Sequence, residues 1–175
     1  MLDLSSSSRE RLIQIARSSI AQVLEANPSL PPELKVPAAC FITLRKAGKL
    51  RGCIGTFDAK IPLYQNISQC ARSAAFGDPR FPPVTREELD QIRIEISVLG
   101  PFWKMNSITE LETGRHGVWV KCGLKSGTFL PEVATDEGWT AEEFIRHCAM
   151  EKAGMSAEEL SRAEIFLYEV KKIKE

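Results

Sequence analysis

The strictest pattern in this chain is an alternation of apolar and polar residues between positions 92 and 98. The apolar residues are Ile92, Ile94, Ile96 and Val98, and the polar residues are Arg93, Glu95 and Ser97. Successive side chains of a β-strand point to opposite faces of the sheet, so this segment has one apolar and one polar face. It is predicted to be a half-buried strand, which requires a hydrophobic core on one side of the sheet.

Strand pairs joined by short turns outnumber β-helix-β crossovers in the rest of the sequence. Residues 38–44 and the segment that begins at Leu50 are predicted to form one hairpin, and residues 118–121 and 128–130 a second. The spacing of apolar residues predicts helices at 63–76 and from Thr140 to about Gly154. The expected fold class is therefore α+β, an antiparallel β-sheet flanked by helices. The length of 175 residues predicts a single domain with room for two lobes.

Composition limits the partners and the location of the protein. The 23 basic and 23 acidic residues give zero formal net charge, which disfavours a dedicated nucleic-acid binder. The five cysteines are widely spaced, which disfavours a disulfide framework or a structural zinc site. The first residues lack the features of a signal peptide, and no apolar run approaches the roughly 20 residues of a membrane span. We therefore expect a cytoplasmic protein with free thiols and no membrane contact.

Residues 50–57 (LRGCIGTF) contain the strongest candidate for chemistry, because they combine a cation, a thiol and two glycines. The segment is predicted to be a strand that ends in a special turn and presents Arg51 and Cys53 there. On a regular strand these two side chains share one face, about 6–7 Å apart, and a nearby cation activates a thiol. Cys53 is therefore a candidate catalytic nucleophile. The alternative is that Cys53 is a small buried hydrophobic residue.

A small anionic ligand is the second expectation for this region. Arg51 and Arg80 are able to bind a carboxylate or phosphate through two hydrogen bonds each, and the amides of Gly52 and Gly55 can add to an anion nest. The alternative is an internal ion pair with Asp78 that braces the proline-rich loop 77–83. Both interpretations remain open, and Asp78 is kept among the candidate binding residues.

His116 is the candidate proton carrier for Cys53, provided that the segment 114–117 (GRHG) folds over the first hairpin. A structural hydrogen bond to the backbone is the alternative role. Its neighbour Arg115 is included with the substrate-binding candidates. Because the chain has only two histidines and no carboxylate cluster, no metal site or cofactor is expected.

Several sequence blocks together resemble one known family. Residues 50–55 (LRGCIG) are similar to the signature of the AMMECR domain family. Further blocks that resemble this family are 74–83 (AAFGDPRFPP), 95–99 (EISVL), 114–117 (GRHG) and 130–134 (LPEVA), followed by 138–139 (GW). The order of these blocks covers nearly all of the chain, so residues 1–175 are expected to form one AMMECR-like domain. Glu132 departs from the glutamine expected in many relatives, which puts an amide-specific contact there in doubt.

The resemblance implies an α+β fold with an antiparallel sheet, flanking helices and a smaller lobe beside a cleft. Microbial members of the family are called protein A of the AmmeMemoRadiSam system, which implies a Memo-like protein and a radical-SAM enzyme as partners. The leading expectation is an accessory component of such a modification pathway, catalytic or not, with a small-anion pocket at residues 50–55. The alternative is a non-catalytic adaptor or regulator that binds a protein or, less favoured by charge, nucleic acid.

Overall fold

The computed structural model describes residues 2–22 and 30–175. The chain forms two compact units, an N-terminal unit of Leu2–Leu99 with Lys171–Glu175 and a C-terminal unit of Gly100–Val170. The predicted α+β class, with antiparallel strands and flanking helices, is confirmed. None of the helices in the described ranges has both the length and the apolar character that crossing a bilayer requires.

The sheet of the N-terminal unit is built around the predicted half-buried strand. Its strands are β1 (Cys40–Lys46), β2 (Lys49–Thr56), β3 (Ile92–Leu99) and the end of β7 (Glu164–Lys174). Strand β1 lies between β2 and β3 and pairs antiparallel with both, so β2 is an edge strand. The predicted hairpin is therefore confirmed, and its tight turn places Ala47 and Gly48 at positive φ.

Two helices, α1 (Ser6–Ile20) and α2 (Leu63–Phe76), cover one face of this sheet. Helix α2 forms as predicted, because Leu63, Ile67, Ala71 and Ala74 recur at helical spacing and are all buried. The spacing of Ser7 and Glu10 predicts a capped helix start at Ser7, but the N-cap of α1 is Ser5. The helix end that the proline at position 28 predicts at residues 27–28 lies outside the described residues. The strand residues that share this core include Ile42, Leu44, Ile94, Ile96 and Val98.

The C-terminal unit has its own sheet and its own core. Its strands are β4 (Trp103–Lys104), β5 (His116–Cys122), β6 (Lys125–Phe129) and the first part of β7, in the order β4-β7-β5-β6. Its helices are α3 (Pro131–Glu137), α4 (Ala141–His147) and α5 (Ala157–Ser161). The core of the unit contains Val118, Val120, Phe144, Cys148 and Leu167.

Candidate functional site

Strands β2, β1 and β3 align a thiol, a hydroxyl and a carboxylate in one row. Thr43 of β1 is the register partner of Cys53 on β2 and of Glu95 on β3. Side chains at directly opposed positions of neighbouring strands lie on one face of a sheet. Because Ile42 and Leu44 point toward the helices, this row lies on the other face, which we call the polar face. The row is a product of strand register and joins residues that are far apart in the sequence.

Cys53 differs from the buried cysteines in its surroundings. Its Sγ lies 3.3 Å from Oγ1 of Thr43, and its side chain is partly exposed. Cys40, Cys70 and Cys148 are buried, and burial raises the pKa of the Cys148 thiol to about 12. Cys53 therefore combines access to solvent with a fixed hydroxyl neighbour, a combination that suits a thiol that contacts a ligand or reacts.

The backbone of Cys53 is fixed by the proline-rich loop. Oδ2 of Asp78 accepts the Cys53 N–H at 2.8 Å, and Nη2 of Arg80 donates to the Cys53 carbonyl at 3.1 Å. Arg80 also binds the Asp78 carboxylate through Nε at 2.9 Å and Nη2 at 2.7 Å. This guanidinium holds the pKa of Asp78 well below its usual range, and Asp78 in turn raises the pKa of Arg80. The ion pair with Asp78 that the sequence left open is present, and it is made by Arg80.

Arg51 has a different partner. Its Nε and Nη2 bind the Glu88 carboxylate at 3.1 and 2.9 Å, and Lys46 binds the same carboxylate at 2.9 Å. Hydrogen bonds from Arg51, from the Thr85 amide and from Lys46 lower the pKa of Glu88 to about 2. Nη1 of Arg51 is buried and has no hydrogen-bond partner in the part of the chain that the structure describes.

A β-bulge explains why Arg51 and Cys53 have separate environments. Leu44 is opposite Gly52 while Arg45 is opposite Leu50, so Arg51 has no residue opposite it on β1. The regular strand spacing predicted for Arg51 and Cys53 is therefore wrong. The special turn predicted at the signature is also wrong, because β2 continues through it to Thr56.

Close packing accounts for both glycines of the signature. A Cβ atom on Gly52 would lie 2.2 Å from the carbonyl oxygen of Ala74 in α2. A Cβ atom on Gly55 would lie 2.3 Å from the ring of Phe41. Each glycine is thus required by a neighbour within the N-terminal unit, and neither needs a bound anion to explain its presence.

His116 is part of the C-terminal unit, where it begins β5 rather than lying in the predicted turn. Its side chain is buried, and its Nδ1 accepts the Glu112 N–H at 3.2 Å. Its ring contacts the Trp103 ring edge-on, with 5.3 Å between the two ring centroids. Arg115 is exposed and paired with Glu112 and Glu169. The hydrogen bond from the Glu112 amide is the structural contact with the backbone that was the alternative role for His116. A joint role of Cys53 and His116 stays a prediction.

Comparison with known proteins decides the family. A family model described as AMMECR1 matches residues 13–173 of the chain. The chain belongs to the AMMECR1 family. The resemblance drawn from the sequence blocks is thereby confirmed.

Relatives of this AMMECR1 chain come from several archaea. Protein MK0488 of Methanopyrus kandleri is 39% identical over 160 residues, which cover 83% of this chain and 77% of that protein. A protein of Methanothermobacter thermautotrophicus is 40% identical over 156 residues, with 82% and 81% of the two chains covered. The crystal structure of the uncharacterized protein PH0010 from Pyrococcus horikoshii matches with a TM-score of 0.89 and 30% identity, covering 97% of this chain and 92% of that one.

Two residues aligned with the signature segment by strand register, and one bound to it by an ion pair, were not among the predicted site residues. Thr43 and Glu95 complete the row with Cys53, and Glu88 neutralises Arg51. The alternation at 92–98 predicts that Glu95 lies on the polar face of its strand. It is the one sequence pattern that indicates a sheet face for any of these three residues. Among the described residues, no three histidine, cysteine, aspartate or glutamate side chains are grouped so that they could hold a metal ion.

Proposed function

We propose that this AMMECR1-family protein is an accessory component of a modification pathway that also uses a Memo-like protein and a radical-SAM enzyme. Its working group in this proposal is the Cys53 thiol, which contacts or modifies a small anionic compound. The partners are those implied by the family resemblance, and a cytoplasmic location belongs to the same proposal. The five free cysteines are consistent with a reducing compartment.

The observation that carries the proposal is the environment of Cys53. Its amide and carbonyl are both held by the Asp78–Arg80 pair, and its Sγ lies 3.3 Å from the Thr43 hydroxyl. Pre-organisation of this kind lowers the entropic cost of presenting a side chain to a ligand. A cysteine that serves only to fill a core has no need of partial exposure or of charged groups that fix its backbone.

Reconstitution with purified partners tests this function. The radical-SAM enzyme and the Memo-like protein of the same organism are assayed for cleavage of S-adenosylmethionine with and without the present protein. We expect the wild-type protein and Cys122→Ala, which changes the other partly exposed cysteine, to stimulate turnover. We expect Cys53→Ala to lose this stimulation while its circular dichroism stays unchanged. Equal stimulation by both variants would overturn the role of Cys53, and no stimulation by the wild type would overturn the accessory role.

A non-catalytic adaptor is the second candidate function, and one observation favours it. Arg51 and Arg80 are each matched by a carboxylate of the same chain, while Leu50, the chain neighbour of Arg51, is 39% exposed. Such an apolar residue on an edge strand is suited to contact with a protein partner. Size-exclusion chromatography separates the two functions. An adaptor loses its complex with the partners in Leu50→Ser and keeps it in Cys53→Ala.

A further inference from the structure

Three cations lie beside the Cys53 row on the polar face of the N-terminal sheet. Arg45 and Arg93 are direct register partners on β1 and β3, two residues along each strand from Thr43 and Glu95. Lys172, from the end of β7, lies 3.6 Å from Oε2 of Glu95. Arg45 reaches the other oxygen of this carboxylate with its Nε at 3.0 Å. The same face thus contains Arg45, Arg93 and Lys172, and the Glu95 carboxylate lies between Arg45 and Lys172.

The two arginines of this cluster have one carboxylate between them. Glu95 supplies one negative charge and is shared by Arg45 and Lys172. Arg93 is exposed and makes no hydrogen bond or ion pair with residues in the described ranges 2–22 and 30–175. Like charges at directly opposed positions of neighbouring strands destabilise a sheet. The Arg45–Arg93 pair therefore carries an excess of positive charge that a bound oxyanion would offset.

The two arginines of the signature region differ from Arg93, because each of them already has a carboxylate partner. Both Arg51 and Arg80 bind a carboxylate of their own chain through two hydrogen bonds each. An incoming anion would have to compete with Glu88 or Asp78 at those residues. At Arg93 it would meet no competing carboxylate among the described residues.

We infer that Arg93, with its register partner Arg45 beside it, is the oxyanion site of this protein, and that the ligand is a small molecule bearing a carboxylate or phosphate group. Positions two apart on a strand are separated by about 6.6 Å, so an anion bound between Arg45 and Arg93 is one row away from Thr43. Such a ligand extends along the polar face toward the Cys53 thiol. This inference rests on the proposed function only in placing the rest of the ligand near Cys53.

Calorimetric titration tests the anion site itself. Inorganic phosphate and succinate are titrated at low, constant ionic strength into the wild type, Arg93→Gln, Arg45→Gln and Arg72→Gln. Arg72 is the matched control because it is exposed on α2, at the opposite face of the same sheet, and the charge change is the same.

We expect at least one of the two anions to bind to the wild type. Its affinity should fall by about fivefold or more in Arg93→Gln, which is the loss expected for one charge-assisted contact. The affinity of Arg72→Gln should stay within about twofold of wild type. Absence of binding by both anions, or an equal loss in Arg72→Gln, would overturn the site.

Alkylation of Cys53 tests the position of the anion relative to the thiol. Iodoacetate is anionic and iodoacetamide is neutral, and mass spectrometry of the Cys53 peptide measures the rate with each. We expect the ratio of the iodoacetate rate to the iodoacetamide rate to fall about threefold or more in Arg93→Gln and to stay constant in Arg72→Gln. A ratio unchanged by Arg93→Gln would overturn the proximity. In another outcome, Cys53 reacts with neither reagent while Arg93→Gln still shows a lower affinity for phosphate or succinate. That result would support the anion site and overturn the proposed role of Cys53.

Discussion

The carboxylate of Asp78 accepts the backbone N–H of Cys53 at 2.8 Å, across 25 positions of sequence. Arg80 completes the arrangement by donating to the Cys53 carbonyl at 3.1 Å. Because β2 is the edge strand, the outward N–H and C=O of Cys53 have no neighbouring strand to bind. The Asp78–Arg80 pair takes the place of that strand at one residue, and so fixes the candidate site and closes the edge there.

Loss of Asp78 should therefore destabilise the protein. Asp78→Ala leaves the Cys53 N–H and part of the Arg80 guanidinium without partners, and we expect a loss of about 2–3 kcal/mol in the free energy of unfolding. Urea denaturation measures this loss. Asp90→Ala is the control, because Asp90 is exposed, and it should stay within about 0.5 kcal/mol of wild type. An Asp78→Ala variant as stable as the control would contradict the bracing role.

The pair of Arg51 and Glu88 should make stability depend on pH on the acid side. The pKa of Glu88 is lowered from its ordinary value of 4.5 to about 2 in the folded protein, so its contribution is fully present above pH 4.5. This contribution is lost as the pH falls through the interval between 4.5 and 2. Between pH 7 and pH 3 the wild type should lose about 1–2 kcal/mol more than Glu88→Gln. Equal losses in urea denaturation at the two pH values would show that the ion pair contributes nothing.

Local patterns predicted the elements whose signals lie within one segment. Periodicity of two identified β3, and periodicity near 3.6 identified α2. The three-residue spacing of Thr85 to Glu88 and of Thr140 to Glu143 predicts two capping boxes, and both are present. The helix α5 (Ala157–Ser161) was not predicted, because five residues give too little periodicity to detect. The apolar residues at 163–170 predict a final strand that ends at Val170, but strand β7 continues to Lys174.

The site was only partly predictable for a physical reason. Cys53, Asp78 and Arg80 were named, because residue types and family blocks indicate them locally. The row that joins Cys53 to Thr43 and Glu95 depends on the register of three strands, which no local pattern encodes. The bulge that directs Arg51 to Glu88 likewise arises from pairing between strands.

Gly52 should be far less tolerant of substitution than a turn glycine. In Gly52→Ala the new Cβ lies 2.2 Å from the Ala74 carbonyl oxygen, so α2 or β2 must move, and we expect a loss of about 3 kcal/mol or more. In Gly123→Ala the Cβ meets open space and only the positive φ of 58° is unfavourable, which costs about 1–2 kcal/mol. Urea denaturation of both variants ranks the two costs. A Gly123→Ala loss equal to that of Gly52→Ala would contradict the packing argument.

His116 should behave as a structural residue in stability measurements. His116→Ala removes the acceptor for the Glu112 N–H and the ring that contacts Trp103, and should cost about 1–3 kcal/mol. His116→Asn offers an oxygen close to the position of Nδ1 and should recover part of this loss. If both variants are as stable as wild type, the buried hydrogen bond contributes nothing to folding and a functional role for His116 gains support.

The proposed function requires a Cys53 thiol that is accessible and is used. The most direct measurement treats the Cys122→Ser protein with methyl methanethiosulfonate, a small reagent that adds only a methylthio group and is reversed by dithiothreitol. Cys53 is then the one partly exposed cysteine, because the other three are buried. We predict that stimulation of the radical-SAM enzyme falls in proportion to the fraction of Cys53 modified and returns on reduction. Full modification of Cys53 with undiminished stimulation, or a Cys53 as protected as Cys40, would contradict the proposed role of this thiol.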